Sequence, residues 1–283
     1  MAPQPQRAPA VGAAPGDPGT PPGVTGSVVE VAGVGIGLGQ PVRVIAGPCS
    51  VEGEDQFRQT AIAVKAAGGL LLRGGAFKPR TSPYAFQGLG RLGLEIMRAV
   101  ADELGMGVVT EAMAAEDVEL VAELADMVQI GARNMDNRAL LESAAASGRP
   151  VLLKRGITST VDEVLRAAEV IVAADNDQVV VCERGSRTFE PSTRNSLDVA
   201  AIPEIKLRTG LPVIVDPSHG TGRRDIVVSV SLAGIAAGAD GIIIEVHPNP
   251  AEALSDGPQS WEASRFGEYM AEVDKMAAAV GRA

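Results

Sequence analysis

Aromatic side chains are scarce: five Phe, two Tyr and one Trp make up 3% of 283 residues. A core without rings has to be built from Val, Ile, Leu and Ala, and hydrophobic residues still account for 46% of the chain. That composition suits parallel strands covered by helices, because such strands read as short continuous aliphatic runs. Cysteine is almost absent, with only Cys49 and Cys182. Two thiols do not make a disulfide framework, so the sequence predicts a reducing, cytoplasmic setting. No apolar run reaches the ~18 residues of a membrane span. The start of the chain lacks the basic-then-apolar pattern of a signal peptide. Positive charge is in deficit, 25 Lys and Arg against 35 Asp and Glu, for a net charge of -10. This argues against a nucleic-acid binder. An anionic ligand would need a local cluster of Arg and Lys set against that background.

What is present is regular. Residues 1–26 are a Pro/Gly/Ala-rich stretch, predicted to be a disordered tail because it cannot bury enough apolar surface to fold. Residues 27–40 hold two short aliphatic runs around a Gly turn and read as a β-hairpin. The glycines at 33–39 look like part of a dinucleotide fingerprint, but no helix follows them, so that reading fails. From residue 41 to 283 strand-like and helix-like segments alternate. The expected strands are 42–46, 70–72, 107–110, 127–130, 151–153, 178–182, 213–215 and 241–244. Thr160 with Glu163 forms a capping-box pattern at the start of one intervening helix. Eight strand-helix units in one direction imply an α/β chain folded as a closed (β/α)8 TIM barrel with a short N-terminal hairpin extension. An open doubly wound sheet is the alternative.

The stretch Asp216-Pro217-Ser218-His219 ends the seventh of these strands, just ahead of helix-like sequence near Arg223. Barrels place their chemistry at the C-terminal ends of the strands. Those positions carry Cys49, Arg73, Glu111, Arg133, Lys154, Arg184, Asp216 with His219, and Glu245, while the strands themselves are aliphatic. Cys49, His219, Glu245 and Asp256 combine thiolate, imidazole and carboxylate, a donor set that suits a first-row divalent metal better than Mg or Ca. Taken alone, Cys49 reads as a buried apolar cysteine; beside His219 and Glu245 it reads as a ligand. Arg73, Lys78, Arg80, Arg133, Lys154, Arg155, Arg184 and Arg187 form a cationic set fit for phosphate and carboxylate. Solvated surface charge is the competing reading, strongest for Arg155 and Arg187. Cys182 reads as structural, His247 as a ligand support or an exposed residue, and Trp261 as packing for the last helix.

The segments Ile45-Ala46-Gly47-Pro48-Cys49-Ser50, Lys78-Pro79-Arg80-Thr81-Ser82-Pro83, Ile130-Gly131-Ala132-Arg133-Asn134 and Asp216-Pro217-Ser218-His219 resemble the 3-deoxy-D-arabino-heptulosonate 7-phosphate (DAHP) synthases, type I-beta branch. The resemblance runs from about residue 28 to the C-terminus, with the motifs in order on successive strands. It implies a metal-dependent barrel that condenses phosphoenolpyruvate with erythrose 4-phosphate and releases phosphate, the first step of the shikimate pathway. It implies metal ligands at Cys49, His219, Glu245 and Asp256, with Mn, Fe, Co or Zn all suited to the shell. It implies phosphoenolpyruvate contacts at Arg73, Lys78, Glu111, Ala132, Arg133, Lys154 and Arg184. Arg80 and Thr81 would hold erythrose 4-phosphate. Lys78 is the expected proton donor, beside Cys49 and His219 at the catalytic centre. Partners are small phosphorylated substrates and further copies of the chain in a homo-oligomer, with no nucleic acid or membrane. Some relatives carry a regulatory domain or a fused chorismate mutase; the low-complexity start and the lack of spare residues predict neither here. The nearest rival is 3-deoxy-octulosonate 8-phosphate synthase, but Pro79-Arg80-Thr81 favours the four-carbon sugar phosphate. A non-catalytic phospho-ligand-binding barrel is the rival from another class, and the Cys-His-Glu-Asp set argues against it.

Overall fold

The computed structural model describes residues 27–78, 84 and 86–283. The predicted tail at 1–26 and the pair Arg80 and Thr81 lie outside the described residues. The chain opens on a hairpin in which β1 (Val28–Val31) pairs antiparallel with β2 (Val34–Gly37). Its turn uses Ala32 and Gly33, both left-handed at φ 49 and 78. Glycine reaches that conformation without the Cβ clash an L side chain incurs.

Eight strands then alternate with helices. In order they are β3 (Arg43–Gly47), α1 (Glu54–Ala66), β4 (Leu71–Arg73), α2 (Arg91–Leu104), β5 (Gly107–Ala112), α3 (Val118–Leu124), β6 (Met127–Ile130), α4 (Arg138–Ala146) and β7 (Val151–Lys154). They continue with α5 (Val161–Val172), β8 (Val179–Glu183), α6 (Ala201–Thr209), β9 (Val213–Val215), α7 (Pro217–Thr221), α8 (Val227–Ala236) and β10 (Gly241–His247). The chain ends with β11 (Trp261–Glu262) and α9 (Phe266–Ala279). Each strand from β3 to β10 pairs in parallel with the next, and β10 also pairs with β3 through Gly241↔Arg43 to Glu245↔Gly47. The sheet is therefore closed, as the predicted barrel requires, and the open-sheet alternative is excluded. β11 adds a short parallel pairing to the end of β10, ahead of the last helix.

Side chains alternate across each strand, so a barrel has two cores. Val44, Ala46, Leu153, Val181, Ile242 and Ile244 face out and pack under the helices. Ile45, Leu71, Val109, Leu152, Val180, Ile214 and Ile243 face in. Val29, Val31 and Ile36 of the hairpin join this inner layer and are fully buried. The hairpin thus plugs the barrel at the N-terminal ends of the strands, where Glu30 N donates to Gln178 Oε1 and Ser27 N to Gly210 O. Asp240, fully buried just before β10, ties that end together. Its carboxylate accepts from Lys206 Nζ at 2.7 Å, Arg282 at 3.0 Å and Val213 N at 2.9 Å. Arg282 also donates to the carbonyls of Gly37 and Gln40, fastening the hairpin to the C-terminus.

The predicted capping box is present: Thr160 Oγ1 accepts from Glu163 N, and Glu163 Oε2 accepts from Thr160 N. The seventh strand end differs from expectation. Helix does not wait until Arg223; α7 starts at Pro217. Asp216 caps it by accepting from His219 N at 3.0 Å, and proline at the first position forgoes an amide that would have no helical partner.

Candidate active site

Continuing the inward alternation past the aliphatic layer by two or four residues gives the C-terminal mouth of the barrel. Ile45 leads to Cys49, Leu71 to Arg73, Val109 to Glu111, Met127 to Gln129 and Gly131, Leu152 to Lys154, Val180 to Arg184, Ile214 to Asp216, and Ile243 to Glu245. An open cavity of about 260 Å3 lies there. Cys49, Arg73, Lys78, Glu111, Ala132, Arg133, Lys154, Arg184, His219 and Asp256 all line it, as does Arg187. Glu245 lies beneath, bonded to Arg73 Nη1 at 2.7 Å.

One corner gathers the four predicted metal ligands. Donor atoms of Cys49, Glu245 and Asp256 lie within 4.8 Å of one another. Cys49 Sγ is 3.4 Å from Asp256 Oδ2. His219 Nε2 is 3.5 Å from Glu245 Oε1 and 3.7 Å from Asp256 Oδ2. Ligands that sit about 2.0–2.3 Å from one ion are spaced by roughly 3–4 Å, so Cys49, Glu245 and Asp256 are close enough to share a cation, with His219 beside the two carboxylates. Burial, reinforced by Glu245, pushes the Cys49 thiol up to about 12, against the pull of Lys78 and Arg73. A thiolate there calls for a strong positive charge, which a divalent ion supplies. Burial works against ionisation of Glu245, but His219 and Arg73 overcome it and hold the carboxyl down at about 2.

The residues behind this corner orient it. His219 Nδ1 lies 2.8 Å from Asp216 Oδ2, which turns Nε2 toward Glu245 and Asp256. Gln259 Nε2 donates to Glu245 Oε2 at 2.6 Å, and Arg194 Nη1 donates to both Asp256 Oδ1 and Gln259 Oε1. Ser218 Oγ accepts from Glu245 N at 3.0 Å in a fully buried position, so it is a backbone support with no route to a substrate. His247 is buried as well: its Nε2 lies 3.3 Å from Glu52, whose other oxygen accepts from Leu254 N. Trp261 packs on the last helix through Tyr269, ring centroids 5.8 Å apart, as predicted.

The cationic wall adjoins the corner. Lys78 Nζ reaches to 3.2 Å from Cys49 Sγ, threading past Gly75, where a Cβ would come within 2.5 Å of Nζ. Arg73 is 5% exposed, and its buried Nε has no partner among the described residues. Lys154 Nζ donates to Asp216 Oδ2 at 2.6 Å. Burial lowers the pKa of Arg184, whose guanidinium makes one hydrogen bond, 3.4 Å to Gly185 O, and no ion pair among the described residues. A buried guanidinium as weakly paired as that of Arg184 is prepared for an anion. Glu111 sits opposite, held by Gln129 Nε2 at 2.9 Å, and Gly131 leaves the space its carboxylate fills.

Sequence reading missed Gln129, Arg194 and Asn195, all of which line the cavity. Gln129 was findable, since it is the inward residue two after Met127 on β6. Arg155, grouped with the anion cluster from sequence, needs correction. It follows the outward parity of Leu153 and turns away from the cavity, pairing with Glu183 at 2.9 Å and Asp198 at 3.1 Å. It is neither a cavity cation nor a solvated surface charge.

Residues 24–280 match the model of the DAHP synthetase I family. The chain belongs to the DAHP synthetase I family. A relative within reach of that family, the phospho-2-dehydro-3-deoxyheptonate aldolase of Thermotoga maritima, is 52% identical over 255 residues, covering 90% of this chain and 75% of the relative. A crystal structure of phospho-2-dehydro-3-deoxyheptonate aldolase from the same organism superposes with a TM-score of 0.87 at 50% identity, over 90% of this chain and 74% of that one. A truncated form of the Thermotoga maritima 3-deoxy-D-arabino-heptulosonate 7-phosphate synthase gives 0.84 at 48% identity, with 94% of that chain covered. A 2-dehydro-3-deoxyphosphooctonate aldolase of Acidithiobacillus ferrooxidans stands further off, 32% identical over 86% of this chain and 92% of its own.

Proposed function

We propose that this chain is a metal-dependent 3-deoxy-7-phosphoheptulonate synthase, condensing phosphoenolpyruvate with erythrose 4-phosphate and releasing inorganic phosphate. The observation that carries the reading is the juxtaposition of Cys49, Glu245, Asp256 and the adjoining His219 with the buried cations Arg73, Lys154 and Arg184, in a chain of the DAHP synthetase I family. Fifty-two percent identity to a heptonate enzyme against 32% to an octonate enzyme favours the four-carbon aldehyde.

In this reading Cys49, His219, Glu245 and Asp256 hold a divalent Mn, Fe, Co or Zn ion. Such an ion supplies Lewis acidity, polarising an oxygen or lowering the pKa of a bound water. Arg73, Arg133, Lys154 and Arg184 neutralise the phosphate and carboxylate of phosphoenolpyruvate and fix the plane of its enol. Ala132 and Glu111 bound the same ligand. With the enol held, its C3 attacks the aldehyde carbon, a C–C bond forms, and the aldehyde oxygen takes up a proton. Lys78 Nζ, at the boundary between the cationic wall and Cys49, is placed to give that proton. Water then adds at C2 and phosphate departs, its charge balanced by the same guanidinium groups. Arg80 and Thr81, assigned by family resemblance, hold the second phosphate. The enzyme acts as a homo-oligomer in the cytoplasm; among the described residues no helix is long and apolar enough to cross a membrane.

The test is an assay that follows loss of the enol absorbance of phosphoenolpyruvate with erythrose 4-phosphate and with arabinose 5-phosphate. Turnover with the four-carbon sugar supports the reading. Preference for the five-carbon sugar moves the chain to the octulosonate activity, and silence with both leaves a ligand-binding barrel.

A further inference from the structure

Adjacent to the cavity but outside it, the buried pair Glu183 and Arg155, joined by the half-buried Asp198, forms an ionic cluster with no part in the proposed reaction. Glu183 ends β8 with the outward parity of Val181 and is fully buried. Its Oε1 accepts from Gly185 N at 2.8 Å and from Asp198 N at 3.2 Å. These two amides flank the loop of residues 186–197, so one carboxylate oxygen staples the neck of that loop. Its Oε2 accepts from Arg155 Nη1 at 2.9 Å, and the same nitrogen donates to Asp198 Oδ2 at 3.1 Å. Arg155 Nε donates to Ser159 O, joining the loop after β7 to the same staple.

The neck is reinforced beside the cluster. Ser186 and Ser196 exchange two backbone hydrogen bonds of 2.9 Å, and Arg187 N donates to Ile157 O at 2.6 Å. Gly185, left-handed at φ 87, would place a Cβ 2.8 Å from Asn195 and 2.9 Å from Gly220, so the neck also presses on α7. There Asn195 Nδ2 donates to His219 O. Arg184, at the foot of the loop, and Arg187 and Arg194 within it line the cavity. Lys154 and Arg184 each stand one residue from a member of the cluster, on the opposite face of their strands.

We propose that Glu183 is a positioning residue of the reaction: with Arg155 and Asp198 it closes the neck of the 186–197 loop and so aims Arg184, Arg187, Arg194 and Lys154 at the anionic substrates. The proposal rests on the reading that this cavity takes phosphoenolpyruvate. A buried ion pair is by itself a poor stabiliser compared with apolar residues of the same volume. Two backbone amides at the base of a charged loop give this one a geometric task. The shape of the task predicts that substrate binding weakens more than metal binding, because the cluster itself makes no bond to Cys49, His219, Glu245 or Asp256 and reaches that corner only through Arg194 on Asp256 and Asn195 on the His219 carbonyl.

The experiment uses the full chain loaded with metal. Phosphoenolpyruvate affinity is measured by calorimetry, with KM, kcat and bound metal determined alongside, on the wild type, Glu183→Gln, and the apolar double variant Glu183→Leu with Arg155→Met. The double variant fills the same volume without the ion pair. The expected result is phosphoenolpyruvate binding and KM weakened by about tenfold in both variants, with kcat and bound metal both changed less than that. If the double variant does not fold, Glu183→Gln alone carries the comparison. Wild-type affinity and KM in a folded variant would overturn the proposal, leaving the cluster a structural pair only. Failure of the wild type itself to bind phosphoenolpyruvate would instead overturn the reading of the cavity.

Discussion

The two ends of the barrel use charge in opposite ways. At the N-terminal end the buried carboxylate of Asp240 is saturated by Lys206, Arg282 and a backbone amide, beside a buried apolar plug of Val29, Val31 and Ile36. At the C-terminal end Arg73 pairs with Glu245 and Lys154 with Asp216, but among the described residues Arg184 has a single weak hydrogen bond and Arg73 Nε has no partner. Saturated charge holds the fold together; unsaturated buried charge costs stability and is retained where a ligand completes it. The comparison teaches where to look for function in a chain of uniform aliphatic strands: at the end whose polar groups are left unfinished.

If the two ends are separable, mutations should divide cleanly. The largest effect is expected from Cys49→Ala. Changing a group behind a metal ligand already costs 10–100-fold in comparable sites, so losing the ligand itself should lower turnover by more than about a hundredfold. The melting temperature of the metal-free protein should stay near that of the wild type, as read by calorimetric scanning. Asp240→Ala is the mirror experiment. It strands two cations and an amide, and should cost about 3–5 kcal/mol of stability by denaturant titration. The surviving folded fraction should keep its KM for phosphoenolpyruvate; a raised KM would break the separation. Arg80→Ala should raise KM for erythrose 4-phosphate by about tenfold, the worth of one charge-assisted hydrogen bond, and leave phosphoenolpyruvate nearly unaffected. Equal effects on both substrates in steady-state kinetics would count against the division of the cations. Smallest is Thr160→Ala, which removes one half of the capping box and should cost about 1 kcal/mol with no change in kinetics.

Most of the fold was legible because the strands are short, largely aliphatic runs, most of them closed by a polar residue, and eight such runs leave few alternatives. The site was legible for the same reason. Val, Leu and Ile mark the inward layer, and the next inward residue is Arg73, Glu111, Lys154, Asp216 or Glu245. Reading strand ends without parity is what put Arg155 in the wrong set. Lys154 and Arg155 are chemically alike in sequence, but the pleat sends one into the cavity and the other into a buried pair with Glu183. Gln129 was overlooked because a neutral amide attracts no attention in a search for charge, although its parity places it beside Glu111. Arg194 and Asn195 belong to a loop whose return over α7 depends on contacts far apart in the chain, such as Asn195 with His219. Local pattern carries no record of those. The early start of α7 was visible in principle, since Asp216 followed by Pro217 is a capping signal, but proline after a strand also reads as a plain turn.

The central claim is that the Cys-His-Glu-Asp corner and the cationic wall act together on phosphorylated substrates. It is tested most directly by measuring phosphate release from phosphoenolpyruvate and erythrose 4-phosphate in chelator-treated protein before and after adding back Mn, Fe, Co or Zn. The account predicts that treated protein is inactive, that at least one of these ions restores release, and that release requires both substrates. Undiminished release in the chelator-treated protein would contradict it.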